Sequence, residues 1–213
     1  MKVIDLSHAL ERGMPVFPGS PEAGLERIAA FDKEGYNETR LVITTHTGTH
    51  IDCGLHFLPA GFDAANTAAE RFFGRGLVID CRNLGRQSIT SNYLSGYADK
   101  IRRADFVLLQ TAWDQFWGKE AYFSGYPFPE AEAAAFLASF QLSGVGIDAI
   151  SLDAADSTQY PVHHTLLSAG IVLIENLTCL EKLPESDFYF SCLPLKIKSG
   201  DGSPIRAVAI TDL

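Results

Sequence analysis

The sequence predicts an α/β protein built on a mixed sheet, and three observations predict it. Residues 76–81 (G-L-V-I-D-C), 105–111 (D-F-V-L-L-Q-T) and 145–153 (V-G-I-D-A-I-S-L-D) are continuous apolar runs. That is the pattern of strands buried on both faces. Segments of helical composition alternate with them. The two ends of the chain are β-rich, which makes the sheet mixed rather than purely parallel.

The opening M-K-V-I-D-L-S-H is a short strand, and it runs into a Pro/Gly-rich loop, M-P-V-F-P-G-S-P, at 14–21. A strand around 39–47 leads into a histidine-rich segment, and F-L-P-A-G-F-D at 57–63 is the loop that leaves it. Residues 64–73 (A-A-N-T-A-A-E-R-F-F) read as a helix stopped by Gly74. Pro129 occupies a favoured first-turn position of an alanine-rich helix over 129–141. Residues 163–169 form a short helix closed by Gly170, and I-V-L-I-E-N-L follows as a strand. The close, L-P-L-K-I-K-S-G-D-G-S-P-I-R-A-V-A-I, reads as a hairpin around Gly200 to Pro204. No composition break or repeat divides the chain, so residues 1–213 are read as one domain.

The charge excludes some partners. Seventeen basic against 26 acidic residues leave a net charge of −9, which argues against nucleic acid and anionic membranes. No apolar run of about 18 residues is present to span a bilayer. Asp5 and His8 interrupt what would be the apolar core of a leader peptide. Cys53, Cys81, Cys179 and Cys192 have no close pair spacing and read as reduced thiols of a cytoplasmic protein. A small-molecule substrate, neutral or cationic, is compatible with this charge, which does not by itself demand one.

The segment H-T-G-T-H-I-D-C-G-L-H at 46–56 concentrates the chemistry. His46, His50, Asp52 and His56 share one parity, so an extended chain projects them from one face. The β-branched residues Val42, Ile43, Thr44, Thr45, Thr47, Thr49 and Ile51 favour a strand. A straight strand would spread the four over roughly 33 Å, so Gly48 and Gly54 are the natural places for a bend. Imidazoles and a carboxylate on one face suit zinc, manganese or iron(II). Further donors are available in Y-P-V-H-H-T-L-L-S-A-G-I-V-L-I-E-N-L, where His163 and His164 open a helix. Glu175 there sits inside an apolar strand, where an unpaired carboxylate is costly. Cys53 has the opposite parity to Asp52 and reads as a packing residue.

These blocks resemble the cyclase family of metal-dependent hydrolases, which includes bacterial kynurenine formamidases and isatin hydrolases. The resemblance runs nearly end to end. It takes in I-D-L-S-H, M-P-V-F-P-G-S-P, the histidine block, F-V-L-L-Q-T-A-W, G-I-D-A-I-S-L-D, H-H-T-L-L-S-A-G-I-V-L-I-E-N-L and the closing segment. It implies a three-layer β/β/α fold of the swivelling type, assembled as dimers or tetramers. It also implies that His46, His50 and Asp52 hold one divalent ion, zinc or manganese. Asp52 and Glu175 can bridge to a second ion that His163 completes, the family spacing selecting His163 over His164. His56 takes the place of the general acid/base. Two positions depart from the family. Gly54 stands where proline is usual, which loosens the turn before His56. Phe17 replaces a tryptophan that packs on the substrate ring in the formamidases, so the aromatic face is kept without the indole.

The expected activity is hydrolysis of a C–N bond in a small aromatic or cyclic amide by metal-activated water. The alternatives are lactone opening or cyclisation/dehydration at the same site, and a metal-binding protein without activity. A serine hydrolase lacks its G-x-S-x-G elbow here, and G-V-G at 144–146 lacks the third glycine of a dinucleotide fingerprint. The aromatic stretch 113–129 could line a pocket or meet a neighbouring subunit.

Overall fold

The computed structural model describes residues 1–212. Its strands are Lys2–Asp5 (β1), Gly24–Ala29 (β2), Glu38–Val42 (β3), His50–Asp52 (β4), Phe73–Asp80 (β5), Phe106–Gln110 (β6), Gly144–Ile147 (β7), Val172–Glu175 (β8), Phe188–Ser191 (β9), Gly202–Pro204 (β10) and Val208–Thr211 (β11). The helices are short: Phe31–Glu34 (α1), Ser91–Ser95 (α2), Ala98–Ile101 (α3), Ala131–Ala138 (α4) and Pro161–Ser168 (α5). Nine strands form one mixed sheet in the order β1-β11-β9-β5-β6-β7-β8-β4-β10, while β2 and β3 pair only with each other. The apolar runs supply its centre, since β5, β6, β7 and β8 are mutually parallel.

Alternation along these central strands divides two cores. Leu77, Ile79, Val107, Leu109, Val145, Ile147 and Leu173 face α4, α5 and the loops beside them. Val78, Phe106, Leu108, Val172 and Ile174 face the other way, against Ile4, Ile51, Phe188, Phe190 and Ala209 of the flanking strands. Phe190 of β9 and Phe106 of β6 pair with Gly74 and Gly76 of the β5 strand between them, and their ring centroids meet at 5.1 Å. Curled strands, central strands and helices are the three layers of a β/β/α arrangement.

Several elements differ from the sequence expectation. Residues 64–73 make only a 3-10 turn at Ala69–Phe72. Asp63 captures the preceding stretch, its Oδ1 accepting from the Asn66 amide (2.7 Å) and its main-chain oxygen from the Thr67 hydroxyl (2.6 Å). Such local bonds compete with a helix. Gly74 stops nothing; it lies within β5, where a Cβ would come within 2.6 Å of Asp105 Cβ. Pro129 precedes the α4 N-cap, Glu130, and bridges to Ile89 instead. The expected C-terminal hairpin is reduced to an antiparallel bridge between Pro194 and Ile205, and a longer-range pairing takes its place as the main one. Here β10 lies antiparallel to β4, with Gly202 opposite Asp52 and Pro204 opposite His50. Pro204 is tolerated because β10 is the edge strand.

Candidate metal centre

The histidine block is not one strand. His50 and Asp52 project from one face of three-residue β4, while Ile51 between them is fully buried on the other. His46 lies in a turn before β4, closed by the Thr44 amide donating to Thr47 Oγ1 (3.0 Å) and reversed at Gly48, φ +67°. His56 ends a 3-10 turn, Gly54–His56, its amide donating to Cys53 O (3.0 Å). The bends fall at both glycines, and the turns bring the ends of the block back toward its middle.

Cross-strand register supplies the next donor, since His50 pairs directly with Glu175 of β8. His50 Nε2 stands 3.3 Å from Asp52 Oδ1 and 3.6 Å from Glu175 Oε2. The other His50 nitrogen, Nδ1, donates to the Gly48 carbonyl at 2.8 Å. Asn176 Nδ2 donates to that same carbonyl (2.9 Å), and Asn176 itself sits at φ +57°. Tyr122 OH donates to Asn176 Oδ1 at 2.7 Å, which ties the floor of the site to the helix-side core.

His163 comes from α5, which begins at Pro161. Asp153 fixes its direction. The carboxylate accepts from the amides of Val162 (3.1 Å) and His163 (3.0 Å) and from His163 Nδ1 (2.7 Å). His163 Nε2 is thereby turned to Glu175 Oε1 (3.3 Å) and Asp52 Oδ2 (3.5 Å). His164, the next residue, is exposed, its ring meeting Phe57 edge-on. His46 Nδ1 donates to Asp52 Oδ1 at 2.6 Å, and its Nε2 donates to Asp201 Oδ2 at 2.9 Å.

The electrostatics follow from this crowding. Burial lowers the His46 pKa, but the Asp52 and Asp201 carboxylates outweigh it and lift it to about 9. Burial likewise opposes protonation of His163, yet its bond to Asp153 and the nearby carboxylates of Asp52 and Glu175 hold its pKa well above the usual value. Asp52 is fully buried, which would raise its pKa; the His46 charge and the surrounding imidazole N–H groups hold it well below the ordinary range. Its Oδ2 atom is buried with no hydrogen-bond partner. An orphaned carboxylate oxygen among three imidazoles and a second carboxylate is what a divalent cation satisfies. Two sets have their donor atoms within 4.8 Å of one another: His46, Asp52 and His56; and His50, Asp52 and Glu175.

A cavity of about 360 Å³ opens over these groups. Its walls include Phe17, Phe57, Ile150 and Tyr160. Phe57 lies 4.8 Å from His163 and 5.1 Å from Tyr160 between ring centroids. No residue of the 113–129 stretch lines it; Trp113, Tyr122 and Tyr126 are core. Burial holds the His56 pKa below its usual value, and its ring stacks on His46 at 3.9 Å.

The family model for cyclases, described as "Putative cyclase", matches residues 4–154. The chain belongs to the cyclase family of metal-dependent hydrolases. It is 32% identical over 208 residues to the kynurenine formamidase of Erythrobacter litoralis, covering 97% of this chain and 93% of that one. Isatin hydrolase A from Labrenzia aggregata, solved with benzyl benzoate, superposes with a TM-score of 0.88 at 29% identity, over 99% of this chain and 93% of that one. A structure described as a potential metal-dependent hydrolase with cyclase activity gives 0.80 at 30% identity, covering 98% and 96%.

Against the cyclase pattern, Gly54 is not a loose point. A Cβ there would lie 2.7 Å from Phe62 N, and one on Gly61 would fall 2.1 Å from Gly54 C. The two backbones touch, and Leu55 N donates to Phe62 O (3.1 Å) across the loop. Cys53 is buried in the second core, its thiol pushed up to about 12 by burial. Sequence reasoning missed Asp153, Asp201, Asn176, Phe57 and Tyr160. Asp153 and Asn176 lie inside quoted blocks (I-S-L-D, I-E-N-L) but have no metal-ligand spacing of their own. Asp201 reaches the site only through the β4–β10 pairing, for which no local pattern stands.

Proposed function

We propose that this chain hydrolyses the C–N bond of a small aromatic or cyclic amide, with one or two divalent ions, zinc or manganese, held by His46, His50, Asp52, His163 and Glu175. The observation that supports it most is the buried, unpartnered Asp52 Oδ2, beneath an aromatic-walled cavity that His46, His50, His163 and Glu175 line. The names of the formamidase and isatin hydrolase relatives agree with that chemistry.

When bound, a divalent ion supplies Lewis-acid activation of water and of the substrate carbonyl. The chain's own residues do the rest. Phe17 and Phe57 offer ring faces to a flat substrate, and Tyr160 closes the same wall. His56 is uncharged at neutral pH, because burial depresses its pKa. Its Nδ1 faces Asp201 at 3.6 Å, which leaves Nε2 to take the proton of the attacking water. The same nitrogen then returns that proton to the departing amine.

The assembly belongs to this reading as well. Leu41, Val42 and Ile28 of the separate β2–β3 ribbon are about half exposed, and an isolated two-stranded ribbon is marginal in water. A homodimer or homotetramer would cover it.

The test is turnover of N-formylkynurenine and of isatin by metal-loaded and chelator-stripped protein. Metal-dependent hydrolysis of either at kcat/KM above roughly 10⁴ M⁻¹s⁻¹ supports the proposal. Turnover that survives stripping, or turnover confined to lactones in a wider panel, overturns it.

A further inference from the structure

The β4–β10 pairing brings a carboxylate into the site from far along the chain. Asp201 immediately precedes β10, and its side chain is anchored at both oxygens. Oδ1 accepts from Thr45 Oγ1 at 2.9 Å, and Oδ2 accepts from His46 Nε2 at 2.9 Å. The same Oδ2 stands 3.6 Å from His56 Nδ1. Its main-chain oxygen accepts from the Cys53 amide (2.8 Å), so its backbone is pinned to the residue after Asp52. The next residue makes the approach possible. A Cβ on Gly202 would lie 2.7 Å from His46 Cε1 and 2.5 Å from Ile51 O, so a glycine lets β10 press against the imidazole.

These contacts have one geometric result. With Nε2 of His46 bound to Asp201, Nδ1 is the nitrogen left to face Asp52, at 2.6 Å. Carboxylates outside a ligand set commonly fix the tautomer and ring direction of a ligating histidine. Asp153 does this for His163 and the Gly48 carbonyl for His50. We propose that Asp201 is the positioning carboxylate that aims His46 at the ion and holds His56 beside it. This rests on the metal-hydrolase reading given above. It adds a residue, delivered by the C-terminal strand, on which both metal affinity and proton transfer depend.

The experiment uses the full chain with Asp201→Asn, Asp201→Glu and Thr45→Val. Zn²⁺ and Mn²⁺ affinities are measured by competition with a chromogenic chelator, alongside Tm, kcat and KM at saturating metal. Asp201→Asn keeps the shape and removes the charge; it is expected to weaken metal binding about 10- to 100-fold. At saturating metal, kcat falls while KM stays within about twofold of the parent. Asp201→Glu recovers part of the metal affinity, and Thr45→Val, which frees one oxygen, loses less than Asp201→Asn. Parent-like metal affinity and kcat in Asp201→Asn overturn the proposal, as does a parent protein that binds no divalent ion. If Asp201→Asn lowers Tm steeply, the Thr45→Val affinity decides, an unchanged value counting against the role. Metal affinity is read without substrate. A parent that binds metal tightly but hydrolyses no amide would therefore sink the amidase reading and leave the Asp201 assignment standing on its affinity result.

Discussion

His56 and the groups around it give the sharpest tests at the scale of single residues. His56→Ala should retain metal and lose about 10²- to 10⁴-fold in kcat; near-parent turnover would remove its acid/base role. Its lowered pKa places the acid limb of kcat/KM below about pH 6.5, with activity falling as the ring gains a proton. Metal uptake should show the opposite neighbour effect. His46 has its pKa lifted to about 9, so an incoming cation must displace its proton. Apparent affinity should therefore climb between pH 7 and about 9, then level; a flat profile in chelator competition would contradict this. Removal of the Asp153 carboxylate strands the Val162 and His163 amides and frees the His163 ring. Asp153→Ala should cost roughly 1–3 kcal/mol of stability together with metal affinity. His50, Asp52 and Glu175 were legible because ionisable groups in apolar strands need a reason to be there. Asp153 and Asp201 were not, since each acts through a contact made only after folding.

Among the elements, the loops behind the sheet decide how rigid the floor is. Asp148 follows β7 and is almost fully buried. It accepts from the amides of Thr111 (2.8 Å) and Ala112 (2.8 Å) and from the Thr111 hydroxyl, which stitches the β6 loop to the β7 loop. Burial lifts its pKa to about 7, and the Thr111 and Ala112 donors only partly offset that. The folded value is above the unfolded one, so this group's contribution is fully present below about pH 4. It is lost as pH rises through about 7. Asp148→Asn, which cannot titrate, should therefore lose most to the parent in thermal melts at low pH and progressively less toward pH 8. A constant difference would refute the sign. The apolar runs of β5, β6, β7 and β8 were readable from composition because burial on both faces leaves no polar alternation to confuse them. The alanine-rich stretch 64–73 forms no α-helix because an Asp63 turn outcompetes alanine propensity. The C-terminal hairpin survives only as the Pro194–Ile205 bridge, because the main pairing of β10 is with β4, a long-range contact that no local pattern announces.

For the whole molecule, the ion is expected to act as a cross-link. The donors proposed for it come from the His46 turn, β4, α5 and β8, which meet only in the folded chain. Loaded protein at 100 times its Kd should be more stable by about 2.7 kcal/mol than stripped protein, visible as a Tm that rises with metal concentration. A Tm indifferent to metal would argue against the centre. Light scattering should return a dimer or tetramer, and Leu41→Asp with Val42→Asp should shift it toward monomer. A monomeric parent would leave the β2–β3 ribbon without a cover. Three layers were implied by resemblance alone; alternation within the central strands shows why they form, since each strand feeds two cores. The touching backbones of Gly54 and Gly61 bear on how this molecule can diverge. Neither position can accept a side chain while the other holds its place, so drift at the turn before His56 should be epistatic. A lineage that trades one glycine must reshape the opposite strand of the loop in the same step.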